Sequence, residues 1–266
     1  MASMRDVFLH GFAGDPRDWA PVLEHLEGEA VTLRLPGHGS RSDPEPPPAD
    51  FDQAVDRLWR RLPPGPIRLC GYSLGGRLAL GLAARDLEAD DRRVHALVLV
   101  GAGLGVDEPA ARSQRRALDR DRARALERDP ARFFRDWDAL PLLRPRGRSN
   151  QVVARLEAHR RRRAQLDPTR LARTLEALSP GGMPSYRRLL VDLPYPLALV
   201  AGAHDPTYAA AYREAAREAG RADALTLWMA PDAGHRVLLD APDALGGFLR
   251  GWRDRAASAG APANDQ

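Results

Sequence analysis

Ile67-Arg68-Leu69-Cys70-Gly71-Tyr72-Ser73-Leu74-Gly75-Gly76-Arg77 is a short apolar run that breaks into glycines and opens onto the helix-forming stretch Leu78-Ala79-Leu80. It reads as a strand, a tight turn and a helix. Gly71-Tyr72-Ser73-Leu74-Gly75 fits G-x-S-x-G, in which flanking glycines let strand and helix approach closely while the serine takes a strained conformation that exposes its hydroxyl. Ser73 then stands at the N-terminus of the helix, where the backbone N–H of Leu74 points at developing negative charge. Glycine-rich strand-to-helix turns are common in α/β chains, so the surroundings must decide whether this serine reacts.

Upstream, Val7-Phe8-Leu9 is a brief apolar strand followed by His10-Gly11-Phe12-Ala13-Gly14-Asp15, and residues 19–26 repeat apolar side chains at helical spacing. A glycine-containing loop after the first parallel strand can supply a second backbone donor to an oxyanion, here the N–H of Phe12. His10 reads either as a base or as a loop residue bonded to backbone; the second is favoured because a partner for Ser73 is better placed later. Residues 30–35 form a second strand ending at Pro36-Gly37-His38-Gly39-Ser40, and Asp43-Pro44-Glu45-Pro46-Pro47-Pro48 is an extended surface loop near the expected site mouth. Asp50 caps a helix through Phe51, Val55, Leu58 and Trp59. Downstream, Val94-His95-Ala96-Leu97-Val98-Leu99-Val100 is a continuous apolar strand of the kind covered on both faces.

Strands and helices thus alternate up to residue 104, which predicts an α/β fold with a mostly parallel central sheet flanked by helices. From 105 to 195 the pattern changes to Arg/Ala/Leu-rich helices, with 111–127, 131–137, 149–163 and 169–177 as candidates and no strand-like run between them. This reads as an all-helical cap inserted between two parts of one core, 1–104 and 196–254. Strand signals resume at Leu197-Ala198-Leu199-Val200 and Ala224-Leu225-Thr226-Leu227-Trp228-Met229. Residues 255–266 are small and polar and are expected to form a flexible tail.

With 266 residues and 44% hydrophobic content, the chain can bury a full core. No apolar run approaches the roughly 20 residues of a membrane span, and no signal-peptide apolar region precedes the first strand, so a cytoplasmic enzyme is expected. The single cysteine, Cys70, lies in the strand before the serine and reads as a small core residue. All 40 basic residues are arginine. Between 105 and 195 there are 21 Arg against 12 Asp plus Glu, a balance of +9, which leaves 19 − 24 = −5 for the rest of the chain. The excess positive charge belongs to the cap.

Serine is a weak nucleophile or base unless a histidine takes its proton and a carboxylate orients that histidine. Gly202-Ala203-His204-Asp205 follows one late strand and Pro231-Asp232-Ala233-Gly234-His235 the next, giving the order Ser, Asp, His with each residue in a loop after a strand. Asp205 before Pro206 is also an ordinary helix N-cap, and a capping aspartate is expected to point away from the histidine. His235 lies on a glycine loop with no apolar periodicity of its own. Order and placement together predict the α/β-hydrolase fold with Ser73, Asp205 and His235 as its triad.

Four segments, His10-Gly11-Phe12, Leu35-Pro36-Gly37-His38-Gly39, Gly71-Tyr72-Ser73-Leu74-Gly75-Gly76-Arg77 and Ala233-Gly234-His235, together resemble the 2-succinyl-6-hydroxy-2,4-cyclohexadiene-1-carboxylate synthases of menaquinone biosynthesis. In the cap, Arg112-x-x-Arg115-x-x-x-Asp119, Phe133-Phe134-x-x-Trp137-x-x-x-Pro141-Leu142 and Arg163 eight residues before Leu171-Ala172 extend the likeness, which runs from about Val7 to Trp252. The resemblance implies a pyruvate-eliminating lyase. Ser73 would remove a proton from the cyclohexene substrate, with His235 relaying it, Asp205 orienting the imidazole, and the amides of Phe12 and Leu74 stabilising the anion. It further implies carboxylate ligands at Arg77, Arg115 and Arg163, a hydroxyl from Tyr72 and a wall from Trp137. Pro206-Thr207-Tyr208 after the acid departs from the family pattern.

The substrate class also has a physical basis. A polycarboxylate needs fixed cations, and arginine's planar fork binds carboxylate bidentately. Arg77 lies one helical turn after Ser73 and faces the same side, where an esterase with an apolar substrate has little use for a cation. Arg115 and Arg163 sit among many arginines, and a solvated helix face is the ordinary meaning of such a run. The rivals are a carboxylesterase or C–C bond hydrolase of the same fold, and a nucleic-acid or other polyanion-binding protein. Interleaved acids, as in Asp119-Arg120-Asp121-Arg122, and the scarcity of aromatics argue against the last. No cofactor, metal, nucleic-acid or membrane partner is expected, and the oligomeric state is left open.

Overall fold

The computed structural model describes residues 4–147 and 149–259. In chain order the elements are β1 (Arg5–Leu9), α1 (Ala20–Leu23), β2 (Ala30–Leu33), α2 (Phe51–Arg61), β3 (Ile67–Tyr72), α3 (Leu74–Ala89) and β4 (Val94–Val100). Five helices follow: α4 (Pro109–Arg128), α5 (Pro130–Ala139), α6 (Asn150–Arg163), α7 (Pro168–Ala177) and α8 (Leu189–Asp192). The chain then returns to the sheet with β5 (Leu197–Gly202), α9 (Pro206–Ala219), β6 (Leu225–Ala230), α10 (Val237–Asp240) and α11 (Pro242–Ala259).

The six strands form one sheet in the order β2-β1-β3-β4-β5-β6, every neighbouring pair parallel. Their period-two side chains divide the core between the two faces. Leu69, Leu97, Leu99, Leu197 and Leu199 point to one face with α2, α3 and Tyr212 of α9. Cys70, Val98, Val100, Ala198 and Val200 point to the other, under Trp19, Leu245, Leu249 and Trp252. Burial on both sides is why these strands read as unbroken apolar runs.

Strand order reverses between β1 and β3: the chain first moves outward to β2, then crosses back to the other side of β1. Parallel sheets open a crevice at the carboxyl ends of strands at such a point. The loops carrying Phe12 and Ser73 both leave the sheet there.

The helices between β4 and β5 have a small core of their own, made by Ala123, Leu126, Phe133, Leu171, Ala172 and Leu175, which closes against Ala13 and Phe12. From Leu178 onward the buried side chains, Met183, Tyr186, Leu190, Leu193 and Tyr195, join the main core instead. The stretch read as cap up to 195 is therefore divided in its packing. Likewise α11 runs through Ala259, into the stretch expected as a tail from 255; residues 260–266 lie outside the described residues. The proline-rich loop is an ordered surface connection, with Arg57, Arg61 and Arg170 gathered on Glu45, and it lines neither cavity beside Ser73.

Candidate active site

Ser73 has φ 52° and ψ −111°, outside the ordinary range for an L-residue. Its N–H donates to Val100 O at 2.8 Å, and its carbonyl accepts from Arg77 N at 3.1 Å to open α3. The turn is thus held from the sheet on one side and by the helix on the other. A Cβ on Gly75 would collide with the carbonyl oxygens of Leu9 and His10, so glycine there is what brings the start of α3 against the end of β1. That approach sets the loop of Phe12 beside the serine turn. Among the described residues neither the Phe12 nor the Leu74 amide has a protein acceptor.

His235 Nε2 lies 3.2 Å from Ser73 Oγ, and its Nδ1 donates to Asp205 Oδ2 at 3.0 Å. Asp205 and His235 are 2% and 4% exposed, so bulk water does not compete for the bond between them. The expectation that a capping aspartate would turn away from the histidine is not met. Asp205 Oδ1 accepts from Tyr208 N at 3.1 Å as the N-cap of α9, while Oδ2 serves the imidazole. One carboxylate does both because the cap fixes its plane, and the fixed plane aims the second oxygen. Gly101, at φ +57°, makes room for the imidazole: a Cβ there would sit 3.0 Å from His235 Cε1.

His10 is fully occupied by backbone, Nδ1 donating to Gly11 O at 2.8 Å and Nε2 accepting from Leu35 N at 3.1 Å. His38 does the same between Ala13 N at 3.1 Å and Pro36 O at 3.2 Å. Together they staple the loops after β1 and β2. Burial lowers the pKa of both, that of His38 to about 3, so each stays neutral.

Two cavities meet at the serine. The larger, about 380 Å³, is lined by Arg77, Arg115, Arg122, Tyr208 and Trp137 among others. The smaller, about 60 Å³, is lined by Tyr72, Arg163 and Arg236 among others. Phe12, Ser73, Trp137, Leu143 and His235 line both.

The cations differ in their partners. Arg77 donates to Leu178 O at 2.6 Å and contacts Met183 Sδ at 3.8 Å, and among the described residues no carboxylate pairs with it. Burial lowers its pKa to about 10, which still leaves it charged at neutral pH. Arg115 donates to the fully buried Asp119 at 2.7 Å; Arg122 reaches the same carboxylate at 3.1 Å and lies 5.5 Å from the Trp137 ring centroid. Arg163 is not on a solvated helix face: it is 8% exposed, forked onto Asp138 at 2.9 and 3.0 Å, and stacked over Phe134.

Every residue expected at the site lines at least one of the two cavities, apart from Asp205, which stands behind His235. Sequence reasoning missed Arg122, Arg187, Tyr208 and Arg236. Tyr208 belongs to the departure noted after the acid; its ring lies over His235 with centroids 4.8 Å apart, and burial raises its hydroxyl pKa. Arg236 follows His235 directly, and adjacency to the base was the available signal. Arg122 and Arg187 carried none among so many arginines.

A G-x-S-x-G serine at the switch point of a parallel sheet, bonded to a histidine that a buried aspartate orients, defines the class. The chain belongs to the alpha/beta hydrolase family, whose model matches residues 7–246. Within it, the chain belongs with the 2-succinyl-6-hydroxy-2,4-cyclohexadiene-1-carboxylate synthases, being 31% identical over 258 residues to that of Salmonella newport (strain SL254), a match covering 92% of this chain and 93% of the relative. It is also 27% identical over 260 residues, 89% of its length, to Protein PHYLLO, chloroplastic, of Arabidopsis thaliana, of which it spans 14%. MenH from S. aureus superposes with a TM-score of 0.84 at 26% identity over 96% of this chain and 94% of that one. A thermophilic esterase from Thermogutta terrifontis shares the fold, at TM-score 0.72 and 22% identity over 96% of this chain and 91% of that one.

Proposed function

We propose that the protein is a lyase that eliminates pyruvate from 2-succinyl-5-enolpyruvyl-6-hydroxy-3-cyclohexene-1-carboxylate to give 2-succinyl-6-hydroxy-2,4-cyclohexadiene-1-carboxylate. The observation that carries this reading is Arg77: a guanidinium with no carboxylate partner among the described residues, facing the same cavity as Ser73. A half-buried cation with no carboxylate partner is costly, and an anionic substrate offsets that cost. The likeness to the Salmonella synthase over nearly the whole of both chains supports the same substrate.

Ring carbon C2 carries the succinyl ketone, so its proton is the acidic one. Ser73 Oγ takes that proton as its own passes to His235 Nε2, and Asp205 stabilises the imidazolium. The electron pair moves onto the ketone oxygen, which the amides of Phe12 and Leu74 receive. Collapse of the enolate forms C2=C3, moves C3=C4 to C4=C5 and breaks the C5–O bond. The departing enolpyruvate takes back the proton and becomes pyruvate. Arg77 and Arg115 hold carboxylates in the larger cavity, Arg163 and Tyr72 in the smaller, and Trp137 walls both.

Many arginines of the helical segment are paired with acids, as in Arg120–Glu176 and Arg124–Asp121, so negative charge is interleaved with the positive charge a polyanion would have to meet. The test is turnover: supply the enolpyruvyl precursor and follow diene absorbance and pyruvate release. Wild type is expected to run well above the spontaneous elimination. Arg77→Gln is expected to lower kcat/KM by about 30- to 5,000-fold, as for losing one charged pair worth roughly 2–5 kcal/mol, and Ser73→Ala to remove activity. No enzymatic turnover, with Ser73-dependent cleavage of simple esters, would overturn the lyase in favour of a hydrolase.

A further inference from the structure

The small cavity holds a cation that the reading above does not use. Arg236 is 5% exposed and follows His235 directly. Its Nη2 donates to Asp138 Oδ1 at 2.6 Å, but Nη1 is buried with no acceptor among the described residues. The same Asp138 carboxylate also serves both arms of Arg163 and Nε of Arg160, the last at 3.1 Å. Three guanidiniums therefore converge on one carboxylate.

The other acids nearby are committed. Asp18 lines the cavity, but its oxygens are taken by His159 Nδ1 at 3.2 Å, Arg162 Nη2 at 2.5 Å and Asp15 N at 2.9 Å. Asp240 accepts from Gly234 N and Arg146 N, each at 3.0 Å. Asp138 itself does not line the cavity and holds Arg163 and Arg236 from outside it. A buried charged donor without an acceptor is unfavourable, and fork-shaped donors side by side match a carboxylate.

We propose that Arg236 is the second cation of the carboxylate subsite in the small cavity, acting with Arg163. At about 60 Å³ it admits a carboxylate on a short arm, while longer arms extend into the cavity of about 380 Å³ that holds Arg77. The two cavities meet at Ser73 and His235, so a substrate bound across them presents its middle to the base. The assignment to a substrate carboxylate rests on the lyase reading; the subsite itself rests on the geometry.

The probe is sodium pyruvate, a small monocarboxylate, titrated calorimetrically into the full-length protein without turnover. Because Arg77 can also attract it, Arg77→Gln serves as the background. Pyruvate is expected to bind both wild type and Arg77→Gln, and Arg236→Gln added to that background is expected to weaken binding at least 10-fold. Circular dichroism checks folding. If Arg236→Gln does not fold, Arg236→Lys keeps the charge facing Asp138 but loses the second arm, and is expected to weaken binding at least 3-fold. Absence of pyruvate binding to wild type, its complete loss in Arg77→Gln alone, or less than a 2-fold change on replacing Arg236 would overturn the subsite. Turnover of the enolpyruvyl precursor is read separately. Its absence alongside Arg236-dependent pyruvate binding sinks the lyase and keeps the subsite, and the reverse pattern sinks the subsite alone.

Discussion

Ser73 carries its positive φ as strain, and the strain belongs to the turn rather than to the hydroxyl. A non-glycine residue in such a conformation costs about 1–3 kcal/mol. Ser73→Gly is therefore expected to raise unfolding free energy by about 1 kcal/mol in urea titrations while abolishing turnover, because glycine's greater unfolded-state entropy offsets part of the relief. Ser73→Ala keeps the strain and gains nothing. Equal stability of the two variants would show that the turn is not strained by its side chain. The sequence located this residue and its two partners, because each lies in a short motif after a strand. It did not show that Asp205 splits its oxygens between a helix and a histidine. That division depends on the angle at which α9 leaves β5, which no residue pattern encodes.

At the level of elements, α9 is tied to the end of β4 by one side chain. Tyr212 Oη accepts from Ala102 N at 2.6 Å and donates to Ala102 O at 2.9 Å, wholly buried. Ala102 follows Gly101, which faces His235, so this bond holds the floor beneath the imidazole. Tyr212→Phe leaves both backbone groups of Ala102 unpaired and is expected to cost about 1–3 kcal/mol. Turnover should fall with it, and a urea midpoint unchanged from wild type would contradict the tie. The helices from α4 to α7 were legible from composition and spacing, since none of them needs a distant partner to show its period. Where the helical segment stops packing on itself, at Leu178, was not legible. The residues that follow are apolar in either setting, and only the neighbouring sheet decides which core takes them.

Across the whole molecule, acid should unfold the protein in two stages. His38 stays neutral when folded, with its pKa lowered to about 3, and His10 is lowered in the same direction by burial. Below about pH 6.5 the unfolded chain binds protons that these folded histidines refuse, so stability falls as pH falls. Each such histidine contributes a slope of up to about 1.4 kcal/mol per pH unit, or roughly 2 kcal/mol for His38 between pH 6.5 and 5. Asp18 and Asp138 act in the same direction at lower pH: their guanidinium and imidazole partners hold them well below the usual carboxylate range. Their contribution is complete above about pH 4 and is lost only below it. Urea unfolding at pH 7, 5 and 3.5 is expected to show a gradual decline and then a steeper one. His38→Gln should flatten the first stage, and an unchanged free energy between pH 7 and 5 would refute this account.

The amino-acid sequence by itself determined the strands, the serine turn, the order Ser, Asp, His and the all-arginine character of the helical segment. Those features rest on the period of apolar side chains and on backbone preferences acting over a few residues. Tertiary structure alone decided which of the 40 arginines face the serine and which are consumed by acids. Arg163 and Arg236 share Asp138 across separations of 25 and 98 residues, while among the described residues Arg77 finds a carbonyl and a sulfur, 101 and 106 residues away, and no carboxylate. A charge takes its meaning from what lies within a few ångströms of it, and over such separations the packing of the whole chain sets that distance.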